Sequence, residues 1–339
     1  LVGMEIRKVQ ITGGSSFVVT LPKGWIEAQK IHKNDPLGLV VQPDGTLLVT
    51  RDITEGQFQR EKSIAITGSE DPAYVFRMLV GSYIAGYTTI RLSSKSRLPA
   101  PIRMVVREFT QMSIGPEVVE ETDTVILLKD LLNPAEMPFD NTIKRMFVIV
   151  KNMQLDAMSA LERRDAGLAN DVMARDNDVD RLHWLIARQT NIILRNTSLS
   201  RKMGISPFRM VNTYIISRII ERIGDHAVRI VENVKRVADY PGDREVVSAI
   251  KKADALALSL FDKSIVLFFK GDLKGSHANI EHVKKLEDLC GEINAMVMVK
   301  DLEGAVYLRY ITESIRRSGE YAGDISETVI NYLVGEESG

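Results

Sequence analysis

Long apolar runs are missing from this 339-residue sequence. The largest are the size of Ile265–Phe269, far below the roughly 18 residues that a membrane-spanning helix needs. Cysteine is nearly missing too. Cys290 stands alone, so no intrachain disulfide can form, and a reducing, cytoplasmic setting is expected. The opening LVGMEIRKVQ has no apolar stretch of the signal-peptide kind. Nor is there an excess of charge of one sign: 44 Lys and Arg face 45 Asp and Glu, a net of −1, so any nucleic-acid surface must be local. These absences set aside secreted, membrane-spanning and disulfide-scaffold proteins. What is present, 45% hydrophobic and 26% charged residues, suits a folded chain of about two to three domains with a core that needs no staples.

Proline is scarce in one part only. Nine of the eleven prolines fall at or before Pro138, leaving Pro207 and Pro241 for all that follows. Proline breaks helix interiors, so the proline-poor stretch is free to be helical, while the earlier residues alternate β-branched runs with turn signals. The expected fold class is therefore multidomain α+β. Residues 4–52 form a small β-rich domain, 60–132 a small α/β unit, and 139–335 an all-helical region, with a boundary in the segment Asn133–Pro138.

In the first part, Ile6–Ile11 and Ser16–Leu21 read as strands around the permissive turn Thr12-Gly-Gly-Ser15. Pro22–Ile31 suits a short helix, the proline standing in its first turn. Leu37–Val41 and Thr46–Thr50 flank Asp44-Gly45, a two-residue hairpin signal. Fewer than fifty residues in this pattern cannot bury a core comfortably, so pairing with a second copy is expected. Arg7-Lys-Val-Gln-Ile-Thr-Gly-Gly-Ser-Ser-Phe-Val-Val-Thr-Leu-Pro-Lys-Gly-Trp25 resembles the swapped-hairpin AbrB family, over about 47 residues. The resemblance implies two chains interleaving hairpins into one barrel, each supplying half, with basic loops on DNA. The residues agree: Arg7, Lys8 and Lys23 are basic, and Ser15 and Ser16 offer hydroxyls at the turn, a set suited to phosphate contacts. The plain alternative is a solvated strand edge whose lysines discourage aggregation.

Residues 60–132 read as β-α-β-α-β: strands at Ser63–Thr67, Thr89–Leu92 and Thr124–Leu128, helices at Pro72–Ala85 and Ile102–Met112. No phosphate loop or other recognisable chemistry is present, and a spacer or dimerisation role is expected.

The helical part repeats. Val172–Leu182 aligns with Ser276–Leu286 at a shift of 104, which also sets Gly167 on Gly271, and Arg222–Ala227 aligns with Arg317–Ala322 at a shift of 95. The difference suits a longer connection around Ser198–Pro207, and two tandem three-helix bundles are expected. Glu221-Arg-Ile-Gly-Asp-His-Ala-Val-Arg-Ile-Val-Glu-Asn233 closely resembles the signature helix of the PhoU family, regulators of phosphate uptake, and Asp176–Leu182 suits its preceding helix. The resemblance covers about residues 140–335. It implies acidic pairs of the E/D-x-x-x-D type that in some members bind multinuclear metal clusters. Asp176/Asp180 and Glu221/Asp225 match in the first repeat. In the second, Arg316 and Glu320 replace Glu221 and Asp225, Ile280 and Lys284 replace Asp176 and Asp180, and only a displaced pair, Glu320/Asp324, survives.

Carboxylates at i and i+4 share a helix face and repel by a few tenths of a kcal/mol, which a hard divalent cation would reverse. Mg, Mn or Fe suits oxygen ligands better than zinc, since no cysteine ligand is at hand. The competing explanation is an ion-paired surface, because Arg218, Arg222 and Arg229 lie within reach of Glu221 or Asp225. His183 continues the Asp176/Asp180 stripe, His226 is read as filling helix surface, and Trp184 with Ile215, Ile216, Ile219, Ile220 and Ile223 as core. No Ser-His-Asp order or nucleophile elbow appears, and a di-iron hydrolase would need Glu-x-x-His pairs that are lacking, so no enzyme is expected. Two functions suit these parts. One is a phosphate-responsive transcriptional regulator that binds DNA as a homodimer or higher homo-oligomer. The other is an accessory protein docking on a phosphate transporter or its signalling partner, with the first domain serving only to dimerise.

Overall fold

The computed structural model describes residues 5–41, 45–51, 60–133, 136–195, 199–200, 203–238, 240, 243–300 and 302–336. Asp44 of the expected hairpin turn, Pro134 and Ala135 of the boundary, Ser198, Arg201 and Lys202 of the long connection, and Pro241 lie outside the described residues. The chain divides into two compact units, Leu1–Phe58 and Gln59–Gly339.

In the first unit, β1 (Gln10–Thr12) pairs antiparallel with β2 (Ser16–Val18) across a turn in which Gly13 and Gly14 take φ of 65° and 84°. Short α1 (Lys23–Ala28) follows, then β3 (Gly38–Val41) paired antiparallel with β4 (Leu47–Thr50). The two hairpins are separate two-stranded sheets and do not close a barrel. None of the described residues of this unit is buried. Apolar side chains that a core would cover lie open: Ile11 and Phe17, cross-strand partners, are 66% and 76% exposed.

The second unit begins with β5 (Glu61–Ile66), α2 (Pro72–Ile84), β6 (Thr89–Ser94), α3 (Ala100–Met112), β7 (Pro116–Glu121) and β8 (Val125–Asp130). The strand order is β5-β6-β8-β7, with β5 and β6 parallel and the other pairs antiparallel. Alternate residues Ile64, Ile66, Ile90, Leu92, Ile126 and Leu128 point to one face and are covered by α2 and α3, the period-two logic of a one-sided sheet. Strand β7 was not expected. It is mostly exposed and bulged between Val118 and Glu120, so hydrophobic alternation does not mark it.

Two three-helix repeats follow. The first is α4 (Phe139–Arg163), α5 (Ala166–Ile193) and α6 (Pro207–Val237). The second is α7 (Arg244–Lys270), a helix broken into α8 (Leu273–Glu281) and α9 (Val283–Val299), and α10 (Ala305–Glu336). Short polar caps start these helices: Asp165, Ser206, Asp243 and Asp272 each accept backbone N–H bonds from the first turn. One apolar core runs through both repeats. Across them, Phe147 meets Phe261 edge-on at 5.1 Å, and Gln154 Nε2 donates to Asp254 Oδ1 at 2.8 Å. Burial pushes the Asp254 carboxyl up to about 7.

The caps also set the register between repeats. Arg164 and Gly271 both end their helices in the left-handed region, and Asp165 and Asp272 both cap the next, so equivalent residues of these segments lie 107 apart. The 104-residue shift read from the sequence is thereby corrected. The second-repeat counterparts of Asp176 and Asp180 are Val283 and Glu287.

The α/β unit is fastened to α5 by Arg188, only 1% exposed. Its guanidinium forms an ion pair with Asp130, donates to the carbonyls of Tyr83 and Tyr87 (2.9 Å for the latter), and lies 4.7 Å from the centre of the Tyr83 ring. Trp184, one turn earlier, is half-buried and packs edge-on to Phe76 at 6.4 Å. Of the isoleucines expected in the core, Ile216, Ile219, Ile220 and Ile223 are buried. Ile215 is 41% exposed, on the face of α6 that also shows Phe208 and Val211. Replacing Arg188 by Met should strand a buried carboxylate and cost about 3–5 kcal/mol in urea unfolding, whereas the double variant Arg188→Met/Asp130→Leu should recover much of that stability. Equal stability of wild type and Arg188→Met would show that the ion pair does not fasten the two parts.

Candidate functional site

The expected metal residues come together where α5 meets α6. Asp176 and Asp180 lie one turn apart on α5, Glu221 and Asp225 one turn apart on α6. Gly224 makes the approach tight: a methyl group built there would lie 3.6 Å from Asp176 Oδ1, 3.7 Å from Val179 and 3.4 Å from Val150. These are ordinary contact distances, so alanine would be accommodated, whereas a bulkier side chain would meet these atoms.

Burial and mutual repulsion dominate the electrostatics. Burial, then the charges of Asp180 and Asp225, raise Asp176 to about 7. Asp180 rises to about 6 through burial and Asp225, with Arg218 opposing. Glu221, 7% exposed, is lifted to about 7 by burial and then Asp225, although Arg218 Nη1 donates to its Oε1 at 2.7 Å. Asp225 is also raised, chiefly by burial, against the pull of Arg229, Arg218 and Arg222. Asp176 Oδ1 and Glu221 Oε2 are buried without any hydrogen-bond partner. Arginines therefore neutralise the group only in part.

The histidines nearby differ from the sequence-based expectation. His183 is buried, stacks on Tyr214 at 5.7 Å and lies 3.0 Å through Nδ1 from Ser217 Oγ. That hydroxyl spends its own proton on the Tyr214 carbonyl at 2.7 Å, so His183 Nδ1 is the donor. His226 does not fill helix surface. It is 7% exposed and meets Tyr321 of α10 at 5.7 Å. Burial holds both imidazoles down to about 4, hence neutral. For His183 the cue to burial is the run of apolar residues at helical spacing around it.

The second repeat is built otherwise. Arg316, at the place of Glu221, pairs with Glu313 (2.6 Å) and with Glu320, and Glu320 also accepts from Arg317 Nη1 at 2.6 Å. Asp324 is exposed, and its carboxyl is raised by partial desolvation and by the charges of Glu327 and Glu320, with Arg317 opposing, so the displaced pair shares a field at the surface and is not buried as Glu221 is. Glu287, the counterpart of Asp180, lies 3.6 Å from Lys284 Nζ and contributes to holding Arg316 protonated. It was missed in the sequence because the register there was three residues off.

Among the described residues, no three His, Cys, Asp or Glu side chains are arranged to hold one metal ion. The chemistry of the first repeat nevertheless fits a hard cation: all four side chains offer oxygen, and two buried oxygens lack hydrogen-bond partners. Cys290 is buried, its thiol pushed up to about 12 by desolvation, and takes no part.

The basic residues of the first unit are exposed but do not form one cluster. Ser15 and Ser16 lie at the closed end of the β1–β2 ladder, whereas Arg7 and Lys8 precede its open end, so these residues do not share one end of the hairpin. Arg7 pairs with Glu5, and Lys23 lies 3.7 Å from Glu27.

Tandem three-helix bundles with an acidic site between adjacent helices define the class of the second unit. Comparison with known proteins gives it more exactly which family it resembles. Residues 143–234 match the PhoU domain model, and residues 10–55 match the model of MazE, a bacterial antitoxin described as antidote-toxin recognition. Relatives described as phosphate-specific transport system accessory protein PhoU homologs are 24% identical over 211 residues in Caulobacter vibrioides and 26% over 206 residues in Burkholderia sp. These alignments cover 58% and 56% of this chain and 86% and 83% of the relatives. The solved PhoU of Pseudomonas aeruginosa matches with a TM-score of 0.52 at 17% identity, over 58% of this chain and 96% of that one. The phosphate transport system regulatory protein PhoU of Streptococcus pneumoniae gives 0.50 at 14%, over 58% and 94%. The chain thus carries a segment that matches the PhoU domain model behind a segment that matches the MazE antitoxin model.

Groups whose carboxyl pKa is raised on folding bind protons in the folded state that the unfolded chain has released. Their contribution to stability is therefore lost as pH rises from about 4 to about 7. In metal-free buffer, Asp176→Asn should stabilise the protein at pH 8 by about 1–2 kcal/mol and flatten this dependence, as read by urea unfolding between pH 5 and 8. A wild type equally stable at pH 5 and 8, with no gain in the variant, would show that the four charges do not share a field.

Proposed function

We propose that this chain is a phosphate-responsive transcriptional regulator of phosphate uptake, working in the cytoplasm, that binds DNA as a homodimer and senses through its PhoU domain. The observation that supports it is the union, in one chain, of that domain with a MazE-like segment in which no described residue is buried. Two hairpins with open apolar faces need a partner, and a second copy supplies the matching surface. Arg7, Lys8 and Lys23, with the hydroxyls of Ser15 and Ser16, are then the candidates for phosphate contacts on DNA. The second reading, an accessory protein docking on phosphate transporter components without touching DNA, is favoured by the names of the relatives and by the chain's near-neutral charge. In either case the role is regulatory and not catalytic. No helix among the described residues is long and apolar enough to cross a membrane.

A gel shift of the protein on its own upstream region, with and without phosphate and divalent metal, separates the two. Arg7→Ala/Lys8→Ala should weaken binding and reduce the log–log salt slope by about one unit for each DNA phosphate that the variant no longer neutralises. Charging the open hairpin face, Ile11→Asp/Phe17→Asp, should abolish both DNA binding and the dimer of residues 1–55 in sedimentation. No shift with any promoter-proximal DNA would leave the accessory reading.

In the sensory half, Asp176, Asp180, Glu221 and Asp225 would hold a hard divalent cation such as Mg, Mn or Fe. Such an ion would supply positive charge where the folded chain now relies on protons. Metal should raise the melting temperature in a concentration-dependent way. Asp225→Asn should remove the shift, and Glu320→Gln should leave most of it. Identical shifts in wild type and Asp225→Asn would leave the carboxylates as a partly ion-paired face.

A further inference from the structure

A cleft of about 750 Å³ opens where the C-terminal ends of α4 and α6 face the first turns of α7. Its floor is apolar: Leu161, Val234, Val237, Val247 and Leu308. The two acidic groups that line it among the described residues are already engaged. Glu162 accepts from Lys251 at 2.7 Å, and Asp243 caps α7 and accepts from Lys300 at 2.9 Å. Arg164 is spent as well, on the carbonyls of Ala238 (3.3 Å) and Tyr240 (2.9 Å).

Along the α7 wall stand Arg244, Ser248 and Lys252, at i, i+4 and i+8. All three are exposed, and among the described residues none has a hydrogen-bond or ion-pair partner. The stripe runs about 12 Å along the helix, with about 6 Å between neighbouring donors. One orthophosphate spans a single such gap, whereas a di- or triphosphate spans more of the stripe. Donors without a partner among the described residues, beside an apolar floor, call for an anion with an apolar or aromatic body, and the volume lies in the usual range for small-molecule sites.

We propose that this cleft binds a nucleoside di- or triphosphate, its phosphates along Arg244, Ser248 and Lys252 and its base and sugar over the Val237–Val247 floor. The site is separate from the acidic group on α5 and α6, and the proposal does not depend on the regulatory reading above.

Calorimetric titration of the full chain, in EDTA so that no metal–nucleotide complex engages the carboxylates, tests it. The probes are ATP, ADP, AMP, pyrophosphate and orthophosphate. One ATP or ADP should bind per chain, with AMP at least about tenfold weaker and orthophosphate showing no saturation. Arg244→Ala/Lys252→Ala should weaken ATP binding by about tenfold or more. Val247→Trp, which fills the floor without altering charge, should do the same. Should that variant fail to fold by circular dichroism, Ser248→Glu repeats the test from the solvent side. The proposal is overturned if neither ATP nor ADP saturates by millimolar concentration, if pyrophosphate binds as tightly as ATP, or if the charge-removing variant binds ATP unchanged.

Discussion

The second unit depends on one buried cation. Arg188 lies within a helix otherwise lined by Leu185, Ile186, Ala187 and Ile192, where an unpaired guanidinium would be costly. The α/β unit meets that cost with the Asp130 carboxylate, two backbone carbonyls and the face of Tyr83. Because the donors of a guanidinium are fixed in a plane, this set of partners specifies where α5 lies against the sheet. The same helix, two to three turns earlier, carries Asp180 and Asp176. The seating of the α/β unit and the position of the acidic group are therefore properties of one rigid rod.

That rod presents its carboxylates to α6 at the one place where α6 has no side chain. Gly224 allows close approach, closeness removes water, and the loss of water lifts the carboxyl groups toward neutrality. In the second repeat the equivalent glycine, Gly319, receives Leu286 instead, and an arginine stands in place of a carboxylate. The two halves share a backbone plan and differ in how charge is settled: raised, only partly paired carboxyl groups in one, fixed guanidinium groups in the other.

Much of this was legible in the sequence. The shortage of proline after Pro138 marked the helical region, and the i, i+4 carboxylates marked the site, because helix geometry alone puts such pairs on one face. The register of the second repeat was not legible. Matching Gly167 to Gly271 assumed that glycine marks the same turn in both repeats, but in the first repeat Arg164 takes the left-handed position, with φ of 54°. Arg188 and His226 were hidden for a different reason. Their burial depends on partners far along the chain, Asp130 and Tyr321, and no local pattern announces a tertiary contact. Strand β7 escaped because an exposed, bulged strand carries no alternation to read.

His226 and Tyr321 occupy the same position in the two aligned signature helices, and they touch each other. Arg222 and Arg317, likewise equivalent, both lie over the Tyr321 ring, at 5.8 and 4.8 Å. A residue meeting its own counterpart lies on a local two-fold axis, which is the geometry of a self-complementary dimer interface. The contact between the repeats thus has the geometry by which two identical three-helix bundles would pair. Within one chain the two sides of that axis are free to differ, and here an imidazole faces a phenol.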